Sequence, residues 1–264
     1  MNKTPEEKPI EELVKPVTIY KQTFRVTDRD IDFRKELSLS ALSCYLQDIA
    51  GTHAENLGAG STLLNEKGMA WILMRLRIDI VRMPTMYETF TLETWPQQPS
   101  VQHERDFLLR DTYGKVLARA ASIWIIMDYE KREIVKDAQL SYAKMEPIEE
   151  RAIKEGAGKV KPSGNPVYAG ERKISYSYID FNMHLNNTRY MDLIMDSLGI
   201  DFIEQHKIDQ IEINFVNEVR GGDILIMGID RSAEEKGILY VQGGARNTQK
   251  ISFRAKLLFS ERNK

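Results

Sequence analysis

The chain has 264 residues, 42% of them hydrophobic and 29% charged, a balance that excludes wholesale disorder and allows one large domain or two ordinary ones. With 37 basic and 39 acidic residues the net charge is −2, which argues against a protein that coats nucleic acid, since that task needs a strong basic excess. The single cysteine, Cys44, excludes an intrachain disulfide and a cysteine-built zinc site, and no run nears the roughly 18 apolar residues of a membrane span.

Residues 1–16 are charged and lack an apolar core, so they read as a mobile tail, not a secretory signal. They hold acidic residues and no arginine, which argues against a transit peptide and leaves the cytoplasm as the expected compartment. Segment 18–27 is rich in β-branched and aromatic residues and predicts a strand. Leu39, Leu42, Leu46, Ile49, Ala50, His53 and Leu57 recur at steps of three and four, which predicts a helix over 38–57. Ser38 is its expected N-cap, Gly58 and Gly60 its stops, and Ser61 the cap of a further turn. Segments 69–82, 88–95, 101–112 and 115–127 predict four strands separated by Pro- and Gly-bearing turns. This order implies an α+β layer, one long helix on an antiparallel sheet.

Residues 138–168 are charged and Gly/Pro-rich and read as a linker. The same order then returns: a strand at 172–179, a helix at 187–198, and strands at 209–219, 223–230, 237–246 and 250–260. An offset of 135 lays Ile78 on Ile213, Ile80 on Phe215, Arg119 on Arg254 and Ala120 on Ala255. An offset of 150 lays Asp30 on Asp180, with about 15 extra residues around the first helix. The chain therefore reads as two tandem copies of one unit. The expected division is a tail over 1–16, one domain over 17–137, the linker, and a second domain over 169–264.

Chemistry concentrates in the second copy. Asp180, Asn182 and His184 stand at alternate positions just before a helix, so an extended segment would turn all three to one side. The helix N-terminus beyond them, near Asn186 and Asn187, offers amide N–H groups that can hold a carbonyl oxygen gaining charge. The plain alternative is an Asx-turn with an incidental histidine. At the 150 offset the first copy has Asp32 for Asn182 and Arg34 for His184, and at the 135 offset Met83 stands for Glu218. Only the second copy carries the full set. His53 reads as a core histidine, His103 and His206 as surface residues, and Cys44 as a small packed residue. No phosphate-binding loop, dinucleotide fingerprint or serine-nucleophile elbow occurs, and no histidine pair has metal-ligand spacing. No metal or other cofactor is therefore expected.

Three stretches resemble the acyl-carrier-protein thioesterase family of plant plastids and bacteria. They are Met69 to Ile80 with Glu88 to Trp95, Arg105 to Asp111 with Arg119 to Asp128, and the run Asp180, Asn182, His184, Asn186, Asn187 with Tyr190. The resemblance covers about residues 18–260. It implies a tandem double hotdog, each copy a long helix packed on an antiparallel sheet. It also implies hydrolysis of a fatty acyl thioester on acyl-carrier protein, ending fatty acid synthesis. In that family the Asp, Asn and His of the motif and a downstream Glu form the catalytic network, which maps onto Asp180, Asn182, His184 and Glu218. The plant enzymes place a cysteine after that Glu; here Val219 stands there, so a cysteine nucleophile is not expected. The first copy is the expected holder of the acyl chain, with Met69, Trp71 and Leu73 as walls. The expected partner is acyl-carrier protein bearing an acyl phosphopantetheine; nucleic acid and a membrane span are not expected, and a homodimer is one option. Competing readings are a double-hotdog hydratase or dehydratase, whose motif puts two residues between Asn and His, an acyl-CoA thioesterase, and a non-catalytic acyl-binding module.

Overall fold

The structure is a computed structural model and describes residues 17–98, 100–136 and 148–262. The expected tail and the opening of the expected linker lie outside the described residues. The first copy contains β1 (Tyr20–Arg25), α1 (Leu39–Asn56), α2 (Ser61–Glu66), β2 (Met69–Ile80), β3 (Thr89–Pro96), β4 (His103–Asp111), β5 (Val116–Asp128) and β6 (Glu133–Ile134). The second contains β7 (Val167–Lys173), α3 (Arg189–Leu198), α4 (Ile200–Gln205), β8 (His206–Phe215), β9 (Ile224–Asp230), β10 (Ile238–Ala245) and β11 (Lys250–Glu261).

The strands form one antiparallel sheet in the order β1-β3-β4-β5-β2-β8-β11-β10-β9-β7, with β6 paired to β5. The order reads the same from either end, so β2 and β8 are equivalent strands meeting at the centre. Their register sets Arg77 against Glu212. At the 135 offset these two are counterparts, so a pseudo-twofold axis passes between them. The architecture is the α+β, helix-on-sheet tandem expected from the repeat.

Alternation along the strands sends one face to the helices and the other outward. Ile78, Leu92, Leu109, Ala120, Ile213 and Ala255 join the buried faces of α1 and α3 in one core shared by both copies. α1 starts where Ser38 Oγ accepts from the Ala41 N–H at 3.2 Å, and buries Leu39, Leu42, Leu46, Ile49, Ala50 and His53. On the outer face, residues 148–166 run across the sheet. Ile153 and Ala157 cover Ala121 and Ile123, and the Val160 N–H donates to Asn214 Oδ1 at 2.7 Å.

Three elements differ from the sequence reading. The strand expected at 172–179 forms earlier, as β7, and Tyr176–Tyr178 makes one 3-10 turn that carries the chain off the sheet edge. β8 ends at Phe215, because the Val216 and Asn217 N–H groups both converge on Ser252 O and break the ladder. Glu218 therefore sits in a loop, not on a strand. The repeat offset at the motif is 148, not 150: bridges Ile31–Leu37 and Ile179–Leu185 enclose the same turn. Asp32, Arg34 and Glu36 are the counterparts of Asp180, Asn182 and His184, and Asp30 is not the counterpart of Asp180.

Candidate active site

The motif is a chain reversal, not an extended segment. The Asp180 N–H donates to His184 O at 2.8 Å and the Met183 N–H to Asp180 O at 3.1 Å. Met183 takes φ +64°. Asp180 Oδ1 accepts from the amides of Asn182 (2.8 Å) and His184 (3.1 Å). The Asx-turn alternative thus describes how Asp180 holds the turn. The three side chains diverge: Asp180 and Asn182 line a half-open cavity, while His184 lines a groove beside it, and Asn182 borders both.

The loop after β8 is stitched to this turn. The Leu185 N–H donates to Val219 O at 2.7 Å and the Gly221 N–H to Met183 O at 3.0 Å. Buried Val219 anchors the loop. These bonds bring Glu218 Oε2 to 3.4 Å from His184 Nε2. The same oxygen lies 2.9 Å from Nη2 of Arg132, which belongs to the first copy. Tyr190 is buried close by, and burial together with the Glu218 charge raises its phenol pKa above the ordinary value.

Asn186 caps α3. Its Oδ1 accepts from the Thr188 amide and hydroxyl, both at 2.9 Å, and its own N–H donates to Tyr178 O. That amide is therefore committed, contrary to the sequence reading. Asn187 does line the cavity, and among the described residues its N–H has no partner.

The cavity measures about 260 Å³ and is walled largely by the first copy, from Gln47, Ala50, Gly51 and Ala54 of α1 and Leu57 just after it to Ala70 and Trp71 of β2. Trp71 Nε1 donates to Ala59 O at 2.8 Å, which fixes its ring as a wall. Met69 and Leu73 do not line the cavity. Met69 packs with Leu57, Leu64 and Ile126, and Leu73 is buried in the strand interior. His103, expected at the surface, is buried edge-on against Trp71, and burial pushes its imidazole down to about 4.

His53 is fully buried. Its Nδ1 accepts from Arg105 Nη1 at 3.0 Å, so Nε2 carries the proton and donates to Val17 O at 2.7 Å. Burial, with the Arg105 charge, lowers it to about 4. His206 stacks on Phe202 at 4.3 Å and is half-buried. Cys44 is exposed on α1, not packed; partial desolvation raises its thiol above the ordinary range, which keeps it protonated. Arg132 escaped the sequence reading, because nothing local marks a turn arginine 86 positions from its partner.

Two family models match, the acyl-ACP thioesterase N-terminal domain over residues 17–140 and the C-terminal domain over 168–260. Among curated relatives, the oleoyl-acyl carrier protein thioesterase 2 of Arabidopsis thaliana is 24% identical over 78% of this chain and 61% of its own length. The dodecanoyl-[acyl-carrier-protein] hydrolase of Cinnamomum camphora is 24% identical over 92% of this chain and 70% of its own. The chain thus spans about three fifths of the length of the first of these. The crystal structure of an acyl-ACP thioesterase from Bacteroides thetaiotaomicron superposes with a TM-score of 0.81 at 28% identity, covering 95% of this chain and 99% of that one. The 12:0-ACP thioesterase of Umbellularia californica shares the fold, with a TM-score of 0.81 at 19% identity over 93% of this chain and 98% of that one. The motif turn, the loop stitched to it and the two matched halves lead to one conclusion: this chain belongs to the acyl-ACP thioesterase family.

Proposed function

We propose that this chain is a cytoplasmic hydrolase that cleaves the thioester of a fatty acyl chain carried on acyl-carrier protein, releasing the free fatty acid and ending chain elongation. The carrying observation is the His184–Glu218 contact beside a cavity walled by the other copy, with Asn182 bordering both. In this reading the first copy, 17–137, takes the acyl chain, and the second, 169–264, supplies the chemistry.

Glu218, oriented by His184, takes a proton from water, and the water oxygen attacks the carbonyl carbon. Asp180 is the weaker candidate for base or nucleophile, since its Oδ1 is committed to two turn amides. In this reading Asn182 and the Asn187 N–H, which both line the cavity, meet the oxygen as it gains charge. The C–S bond then breaks, and the proton held by the Glu218–His184 pair returns to the departing thiolate. Water is the only co-reactant.

The test is free-thiol release from purified protein with acyl-carrier-protein thioesters of graded chain length, beside acyl-CoA and an enoyl thioester. Thiol release fastest from the carrier-protein series supports the reading. Hydration of the enoyl thioester without thiol release, or release from acyl-CoA alone, overturns it.

A further inference from the structure

One side chain reaches the site from the opposite copy. Arg132 lies in the turn between β5 and β6, and its guanidinium meets the same Glu218 oxygen that faces His184. That turn is built to hold it. Asp128 Oδ1 accepts from the amides of Glu130 (3.0 Å) and Lys131 (2.9 Å), and the Arg132 N–H donates to Asp128 O at 2.9 Å. Arg132 sits at φ +53°, a region that residues other than glycine rarely adopt. Tyr129 of the same turn lines the cavity, and the charge of Asp180 adds to burial in raising its phenol pKa.

The pseudo-twofold axis supplies an independent observation. In the first copy Glu36 occupies the position of His184. It receives both Nη atoms of Arg262, at 3.0 and 2.7 Å, from the end of β11 in the second copy. Each motif turn, or the loop stitched to it, is thus met by an arginine that follows the last long strand of the other copy: Arg262 binds Glu36 on the first turn itself, and Arg132 binds Glu218 beside the second. Of the two, Arg132 touches the carboxylate that faces a histidine.

We propose that Arg132 is a positioning residue for the hydrolysis: it holds the Glu218 carboxylate against His184 and so makes the first copy part of the chemistry. Glu218 is 39% exposed and lies beyond the end of its strand. With Arg132 removed, His184 is the one side chain among the described residues left to pair with it, and a glutamate at the surface spreads over its rotamers. The Arg132 side chain is 60% exposed, so the pair contributes little to stability, and its role is geometric. The proposal rests on the hydrolase reading above.

The experiment compares wild type, Arg132→Gln, Arg132→Lys, Glu218→Gln and the Arg132→Gln/Glu218→Gln double variant by thiol release, with crystal structures of wild type and Arg132→Gln. Arg132→Gln is expected to lower kcat about tenfold at unchanged KM, with partial recovery in Arg132→Lys. It should have no further effect in the Glu218→Gln background, because the arginine acts through that carboxylate. The crystal structure of Arg132→Gln should show Glu218 turned away from His184. Wild-type kcat in Arg132→Gln, a full additive loss in the double variant, or Glu218 unmoved in the crystal overturns the proposal. Absence of thiol release from wild type defeats the hydrolase reading instead, and the crystal comparison still decides whether Arg132 positions Glu218.

Discussion

The two motif turns share a backbone and little else. In each, an aspartate holds the reversal by accepting amides two and four residues on: Asp32 from Arg34 and Glu36, Asp180 from Asn182 and His184. A positive-φ residue follows at the same place, Lys35 in one and Met183 in the other. The side chains then diverge. In the first copy Arg34 binds Asp32 and the backbone oxygen of Ile203, and Glu36 binds Arg262, so both Arg34 and Glu36 are spent on inter-copy contacts. In the second copy the same positions hold Asn182 and His184, left facing a groove and a cavity. The spaces beside the turns differ too. α1 has 18 residues and leaves a cavity between itself and β2, whereas α3 has 10 and runs through Gly199 straight into α4. There Phe202, His206 and Phe259 fill the equivalent space, with Phe202 stacked on His206 and Phe259 edge-on to both. One backbone plan thus serves once as an adhesive and once, on the proposed reading, as a reaction site, and helix length and a few side chains make the difference.

The sharpest way to break this contrast is to truncate both sides. His184→Ala and Glu218→Ala are each expected to lower turnover about a hundredfold to ten-thousandfold, with circular dichroism and melting close to wild type. Glu36→Gln should leave turnover within about threefold and lower the melting temperature by about 2–4 °C, since a half-buried ion pair is worth about 1 kcal/mol. Near-normal turnover in His184→Ala, or collapse of turnover in a folded Glu36→Gln protein, would reverse the assignment.

A smaller effect separates the open space from the filled one. Gly51 lines the cavity, and nothing lies within 4 Å of a side chain's first carbon there. Gly51→Leu should therefore shorten the preferred acyl chain. Each methylene excluded costs about 0.8 kcal/mol, or roughly fourfold in specificity. Phe202→Leu, in the filled counterpart, should leave the chain-length profile of thiol release where it was. A profile that moves with Phe202 and not with Gly51 refutes the division of labour.

The smallest effect concerns two buried histidines of the first copy. His53 and His103 are held near pKa 4 in the fold, against about 6.5 unfolded. Between those values the unfolded chain binds more protons than the folded one. Stability should therefore be full above about pH 6.5 and fall as the pH drops toward 4. In thermal melts across that window, His53→Gln should flatten the slope by a few degrees. A slope unchanged by that substitution would remove His53 as a contributor.

Much of this was legible in the residues. The helix over 38–57 and the β2 to β5 strands follow from periodicity, and the 135 offset places the central strands on one another correctly. The 150 offset failed for a local reason. Asp30 and Asp32 both precede the helix, and the matching triplets Ile31-Asp32-Phe33 and Ile179-Asp180-Phe181 were the stronger signal. Asp30 has other work, accepting from the Thr27 amide and the Tyr45 hydroxyl. The motif residues were visible as a set, but their directions were not, because a turn closed by Asp180 abolishes strand alternation. Alternation alone also leaves open which face of strand 69–82 walls the cavity: Ala70 and Trp71 line it, while Met69 and Leu73 pack elsewhere. His103 and Arg132 carry no periodic signature, and their neighbours come from elsewhere in the chain.

The register of Arg77 against Glu212 has a consequence for synthesis. β2 finds its second neighbour only after about 135 further residues have been made. At common translation speeds that is on the order of ten seconds. Throughout that interval β2 is an open edge, a template for pairing with any passing chain. Its sequence guards against this: Arg75, Arg77 and Asp79 alternate along it, with Arg77 Nε bound to Asp79 Oδ1 at 2.9 Å. The charges that lie unobtrusively at the centre of the finished sheet are, on the ribosome, the gatekeepers of its longest-waiting edge.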